Sequence, residues 1–223
     1  MLTTSDHVPR SGKFNAPGTA PAADRIRRVR QALTGELQAM VADHGFRLEV
    51  GADPDERILR RDDLSLPWLC DFVEAGLKRS VRRFSADLIG GANVTRLDRT
   101  ITHGHPRLPY RRALRIVSRR GWRLPLGEEL PEDAQGSLVR FCGLLPVQVM
   151  YLPGQPTPAN LPEGRQGLSY ILPWAGESLR GELPLPGSDG PAVCRFRIDR
   201  MLQFILGLAA ASAVRSAALD GSA

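Results

Sequence analysis

The chain has 223 residues, 42% of them hydrophobic, enough to bury one ordinary core. Its formal net charge is +6 and its pI is near 9.9, and the basic excess is arginine, since Lys13 and Lys78 are the only lysines. The composition argues against a membrane protein: the most apolar run, residues 201–214, is too short and too alanine-rich to span a bilayer.

Arginine presents a planar fork of donors to phosphates and carboxylates. The charge therefore reads either as an anionic partner, nucleic acid or nucleotide, or as a preference for arginine codons spread over solvated faces. No block of purely basic residues stands out. Cys70, Cys142 and Cys194 are odd in number and far apart, which fits neither a disulfide framework nor a zinc knuckle. Each lies in an apolar stretch, as a free core cysteine would, and the setting expected is reducing and cytoplasmic. The first residues hold no apolar stretch of the secretory kind.

In chain order, residues 1–23 are rich in Pro, Gly, Ser and Thr and read as a disordered tail, with one domain over residues 24–223. From Asp24, the residues Ile26, Val29, Leu33, Leu37, Met40, Val41 and His44 recur at helical spacing, and Gly45 suits the end of that helix. Phe46, Leu48 and Val50 alternate as a short strand. Residues 51–63 read as a polar linker. A second long helix is predicted from Pro67 to about Leu88, on the stripe Leu69, Val73, Leu77, Val81, Phe84 and Leu88. Residues 89–107 read as loop with one short strand. Helices follow from about Tyr110 to Gly121 and over 131–140. Strands are predicted over 147–152, 168–173 and 193–198, separated by loops to Gly167 and over 183–191, and a last helix over about 199–214. This is an α+β layout with helices on a mostly antiparallel sheet.

Several segments resemble the catalytic domain of class II aminoacyl-tRNA synthetases of the asparaginyl and aspartyl type, and they occur in that family's order. Pro106-Arg107-Leu108-Pro109-Tyr110-Arg111-Arg112-Ala113-Leu114, then Gly127-Glu128-Glu129-Leu130, are similar to a family stretch that opens a helix and leads to a turn of glycine, two acids and leucine. Ile171-Leu172-Pro173-Trp174-Ala175-Gly176-Glu177 resembles the strand ending in Pro-x-x-Gly-Glu. Asp199-Arg200-Met201-Leu202 before Phe204 to Leu208 resembles motif three, and residues 25–50 resemble motif one. The resemblance implies an antiparallel sheet with flanking helices and dimerisation through the motif-one helix, and a missing motif-two hairpin makes the expected sheet smaller than the family's. It implies a site for ATP, Mg²⁺ and an amino acid.

At those positions the chain departs from the pattern. The motif-two hairpin, with its α-phosphate arginine, is not found, and its place is taken by residues 51–63. Arg60-Arg61 there is either a remnant of that hairpin or, the favoured reading, part of a solvated turn Arg60-Arg61-Asp62-Asp63. Of the family's acidic metal pair, Glu177 remains and Ser169 stands at the other position, without the charge a Mg²⁺ site wants. The substrate arginine aligns with Pro184, and the small-residue turn before it has become Leu179-Arg180-Gly181-Glu182. Glycines of the nucleotide floor are replaced by Val193, Arg195 and Arg197. Arg195 and Arg197 share a strand face, where they either block ATP or clamp a different anion. Arg200 matches the nucleotide-stacking arginine, with pairing to Asp199 or Glu177 as its alternative role. His103 and His105 have strand spacing but no third metal ligand, so a loop role is favoured.

The function expected is a synthetase-like protein with a degenerate ATP and amino-acid site. It would act by binding, as a homodimer or with a synthetase-like partner protein. The alternative is an ATP-dependent ligase that activates an amino acid without tRNA. Charging of tRNA ranks lowest, because no anticodon-binding barrel precedes the domain in this sequence.

Overall fold

A computed structural model describes residues 22–84, 91–156, 158–185 and 187–208. The expected disordered tail lies outside these up to residue 21, as does the end of the last expected helix beyond residue 208. Helix α1 (Ala22–Asp43) is followed by β1 (Arg47–Val50), β2 (Glu56–Arg61), α2 (Leu66–Phe84), α3 (Gly91–Thr102), β3 (Arg107–Pro109), α4 (Tyr110–Ser118) and α5 (Glu132–Phe141). Then come β4 (Val147–Tyr151), β5 (Arg165–Leu172), β6 (Gly176–Pro184), β7 (Ala192–Arg197) and α6 (Ile198–Leu206). The strands form one seven-stranded sheet in the order β1-β2-β7-β6-β5-β4-β3. Every pairing is antiparallel except β3 with β4. The α+β layout on a mostly antiparallel sheet is therefore as expected.

Period-two alternation divides the core between the two faces of this sheet. Leu168, Tyr170 and Leu172 of β5, Leu179 and Leu183 of β6, Cys194 and Phe196 of β7 and Leu59 of β2 point to one face. The apolar stripes of α1, α2 and α6 close over them. On the opposite face Val147, Val149 and Tyr151 of β4 and Ile171 of β5 pack under α4 and α5. The long helices thus share one side, and two short ones cover the far end of the other. Beyond α5, the second face of β6, β7 and β2 is the floor of an open cleft.

Three elements differ from the sequence reading. The polar linker of residues 51–63 contains β2, a six-residue strand that pairs with both β1 and β7. Its inward Leu59 is wholly buried, while Arg57, Arg60 and Arg61 hide that single apolar anchor in the sequence. Arg60 is not in a turn: it lies in β2 and its Nε reaches Glu49 at 3.1 Å, while Arg61 stacks over Phe46 and Trp68. Residues 91–102, expected as loop, are helix α3. Its β-branched residues lower helix propensity, but Leu97 and Thr100 are buried against the rest of the protein, and that packing outweighs the propensity. The supposed turn at 179–182 lies in mid-strand in β6. The reversal comes earlier, at Trp174 (φ 62°) and Gly176 (φ 75°), so that Leu172 pairs with Gly176.

Helix α6, expected to run to about residue 214, instead ends at Gly207, in the left-handed conformation at φ 68°, where the amides of Gly207 and Leu208 both donate to the Gln203 carbonyl.

Candidate functional site

The cleft is built by strand register. Ser169 of β5 pairs with Arg180 of β6, Arg180 with Arg195 of β7, and Arg195 with Ile58 of β2. Four adjacent strands thus place these side chains in a row on the open face. Farther along β7, Arg197 pairs with Glu56. Helix α5 supplies Glu132 and Gln135 from one side, and Arg200 enters from the first turn of α6. The lining is Glu56, Glu132, Gln135, Glu177, Leu179, Arg180, Arg195, Arg197 and Arg200, around about 710 Å³ including space open to solvent. Glu177, Arg195, Arg197 and Arg200, the residues singled out from the sequence, are brought together here. Ser169 lies beneath Glu177, and Pro184 ends β6 opposite Arg165, away from the cleft.

Most of the charges satisfy one another. The Ser169 hydroxyl donates to Glu177 Oε2 at 2.5 Å, and Arg180 Nε donates to Glu177 Oε1 at 2.9 Å. The other arm of Arg180 reaches Glu129 at 2.6 Å. Burial opposes the charge on Arg180, but Glu177 and Glu129 outweigh it and hold the guanidinium more firmly protonated than usual. The Tyr151 hydroxyl lies 3.1 Å from the Ser169 hydroxyl, and burial pushes its pKa up, so it stays neutral.

Arg200 donates to the Ala175 carbonyl at 2.8 Å and to Glu132 at 2.5 Å. Its acid is therefore Glu132, from α5, rather than Asp199 or Glu177. Arg197 grips the buried Asp199 with two hydrogen bonds, of 3.1 and 2.9 Å, and lies 3.4 Å from Asp53.

Two groups stand apart. Arg195 is half-exposed on the floor and makes no hydrogen bond or ion pair among the described residues. Gln135 gives its amide N–H to the Leu130 carbonyl at 2.8 Å, but its Oε1 is buried without a partner. Such an acceptor costs about 1–3 kcal/mol if it stays unpaired.

The donor set does not suit Mg²⁺. A hard divalent cation is held by carboxylates and other oxygens. Here Glu177 is already bonded to a hydroxyl and a guanidinium, and among the described residues no three His, Cys, Asp or Glu side chains cluster. The arginines do suit a phosphate or carboxylate, with Arg195 the unengaged one.

The remaining sequence candidates lie elsewhere. His103 is exposed and bonds within its own helix. His105 is buried, takes the Tyr170 hydroxyl on Nδ1 at 2.6 Å and gives Nε2–H to the Thr100 carbonyl at 3.0 Å. The two do not chelate. Cys70 and Cys194 are buried core thiols, pushed by burial up to about 11 and about 12, and Cys142 is half-buried. Sequence reasoning missed Arg180, Glu129, Glu132 and Gln135. The alternation Leu179, Gly181, Leu183 was the available signal for Arg180. Nothing local pointed to the others, because tertiary packing of α5 brings them in.

No family sequence model and no curated protein matches the chain in sequence. Solved structures do match in fold. Asparaginyl-tRNA synthetase from Pyrococcus horikoshii superposes with a TM-score of 0.67 at 14% identity, covering 90% of this chain and 67% of that one. The same enzyme complexed with asparaginyl-adenylate gives 0.65 at 13% identity, covering 88% and 68%. Aspartyl-tRNA synthetase from Entamoeba histolytica gives 0.62 at 10% identity, covering 85% of this chain and 57% of that one. The likeness is one of architecture: the chain has a class II aminoacyl-tRNA synthetase-like fold.

Proposed function

We propose that this chain is a synthetase-like binding protein that holds an anionic ligand in the cleft without activating it. The observation that carries this reading is the Ser169–Glu177–Arg180 cluster. Activation of a carboxylate by ATP needs preorganised charge around a phosphate under attack. Glu177 is spent on Arg180 and Ser169, and Arg197 and Arg200 are spent on Asp199 and Glu132. Of the cleft arginines, Arg195 is left to meet an anion, and Gln135 Oε1 is an unpaired acceptor in the same cleft.

An adenine nucleotide is the first ligand to consider, since two of the structural neighbours were solved with asparaginyl-adenylate. Arg195 would hold its phosphate, and the chemistry ATP supplies, a phosphoanhydride leaving group, would go unused. No Mg²⁺ enters this reading. We also propose a homodimer. The apolar stripe of α1 is buried within the chain, so the contact would use the polar shoulder of that helix or the free edge of β1, where Val50 is exposed.

Calorimetry with AMP, ATP and a non-hydrolysable asparaginyl-adenylate analogue, each with and without Mg²⁺, tests the reading. Binding should be independent of Mg²⁺ and weaken at least tenfold in Arg195→Ala. Pyrophosphate exchange with any amino acid, abolished by Arg195→Ala and by Glu177→Gln, would instead establish the ATP-dependent ligase.

A further inference from the structure

Among the described residues, a long uncompensated run of charge lies outside the cleft. From residue 107 to residue 127 the sequence contains no Asp or Glu. Arg111, Arg112, Arg115, Arg119, Arg120 and Arg123 in this stretch are all exposed, and none has an ion-pair partner among the described residues. In the sequence they are diluted by Ala113, Leu114, Ile116 and Val117. In the structure those four turn into the core and the arginines gather on the outside of α4 and the turn after it.

Helix stability does not account for them. Arginines near the C-terminus, such as Arg115 and Arg119, interact favourably with the helix dipole. Arg111 and Arg112 sit in the first turn of α4, where the dipole disfavours a cation and no acid is present. Arg111 and Arg115 are also a like-charge i,i+4 pair, which opposes the helix.

Arg111, Arg112 and Arg115 line a groove with Leu126 and Gln155, about 1240 Å³ including open solvent, whose walls carry no carboxylate. The Gln155 Oε1 there is buried without a partner. Just past the C-terminal end of α4, Arg120 lies over the ring of Phe141, 5.4 Å from the centroid, and that ring is 54% exposed.

We infer that the outer face of α4, continued through Arg119, Arg120 and Phe141, is a binding surface for single-stranded nucleic acid. Successive i,i+4 arginines rise by about 6 Å, a step that follows the phosphates of an extended strand. The exposed aromatic ring offers a stacking platform for a base, and an unpaired amide oxygen can accept from a base edge. Arginines at a regular step beside a single exposed ring match a phosphate backbone with one stacked base, whereas a membrane would need a broader apolar face than Leu126 and Phe141 provide. The inference is independent of what the cleft binds.

Fluorescence anisotropy of the full chain with labelled 20-nucleotide RNA and DNA strands tests it. About five phosphate contacts give a salt slope near −3.5, so affinity should fall about a hundredfold from 50 to 200 mM salt. Replacing Arg111, Arg112 and Arg115 together by Gln should weaken binding at least tenfold and flatten the slope by about 2. The same three changed to Lys should restore the slope, and Phe141→Ala should weaken binding about fivefold or more without changing it. Arg195→Ala should leave binding as it is. The inference is overturned if neither strand binds, if wild-type binding ignores salt, or if the Gln variant binds as wild type. It is equally overturned if Arg195→Ala removes binding, or if phosphatidylserine vesicles bind and the strands do not.

Discussion

Glu177 separates a metal-binding site from a self-neutralised one, and Glu177→Gln tests which it is. The carboxylate accepts the Ser169 hydroxyl at 2.5 Å and Arg180 at 2.9 Å, and Arg180 keeps Glu129 if Glu177 is neutralised. Hydrogen bonds to a charged group contribute about 1.5–3 kcal/mol each, but this pair is partly solvated and the amide still accepts one of them. A loss of about 1–2 kcal/mol is expected, which lowers the melting temperature by about 2–8 °C for a domain of this size. The companion measurement is Mg²⁺ titration. A cation bound with a Kd of 1 mM would stabilise the folded state by about 1.4 kcal/mol at 10 mM, raising the wild-type melting temperature by about 3–6 °C. We expect no such rise, and the same midpoint for each protein with and without Mg²⁺, by scanning calorimetry at fixed ionic strength. A Mg²⁺-dependent rise in the wild type that vanishes in Glu177→Gln refutes the reasoning, because it would show that the cation displaces Arg180.

His105 gives a pH signature. Burial lowers its pKa below the ordinary 6.5, opposed by the Thr100 carbonyl and Glu74 and reinforced by Lys78 and Arg107. The unfolded chain thus takes up a proton that the folded one refuses. Stability is full above about pH 6.5 and falls, by at most about 1.4 kcal/mol per pH unit, as pH drops from there towards the folded value. In urea melts at pH 7.5 and 5.5 that slope should be shallower in His105→Asn. Gly181→Ala would put a Cβ 2.6 Å from Cδ2 of the wholly buried Leu69, so about 1–3 kcal/mol should be lost in a thermal melt. Gly136→Ala, in α5 with nothing within 4 Å, should gain up to about 1 kcal/mol. Light scattering at about 100 µM is expected to give a dimer, in keeping with the unpaired β1 edge, and a monodisperse monomer would count against it.

Much of the fold was legible because its periodicity is undiluted. The stripe from Ile26 to Val41 and the alternation Cys194, Phe196 through the arginines of β7 specify a helix and a strand by themselves. What escaped was periodicity carried by few apolar residues. β2 rests on Leu59, α3 on Leu97, and β6 uses Gly181 where α2 comes too close for a side chain. Each acquires its identity from a neighbour distant in sequence, which no local window contains. The same holds for the cleft. Arg195 and Arg197 could be put on one face from spacing alone. Glu132, which takes Arg200, lies in another element and could not be foreseen. The arginines of α4 were in plain view but read as dispersed, since only the helix sorts them from Ala113, Leu114, Ile116 and Val117.

The sequence left two uses for the arginines of β7, blocking a nucleotide or clamping another anion, and the geometry shows that the pair divides. Arg197 occupies the N-cap position of α6 and turns its fork onto Asp199, wholly buried in the first turn of that helix. A buried carboxylate needs such compensation, because breaking a buried pair costs several kcal/mol. Arg197 is thereby engaged at the junction between strand and helix. Arg195, two residues earlier, faces the same cleft but finds Ile58 on one side and Arg180 on the other, and Arg180 is already held by Glu177 and Glu129. A guanidinium placed between an apolar neighbour and a second cation gains nothing from the protein around it. What it can still meet is solvent or an anion from outside, and for that reason the proposed binding reading rests on Arg195 and not on the arginines that resemble family positions more closely.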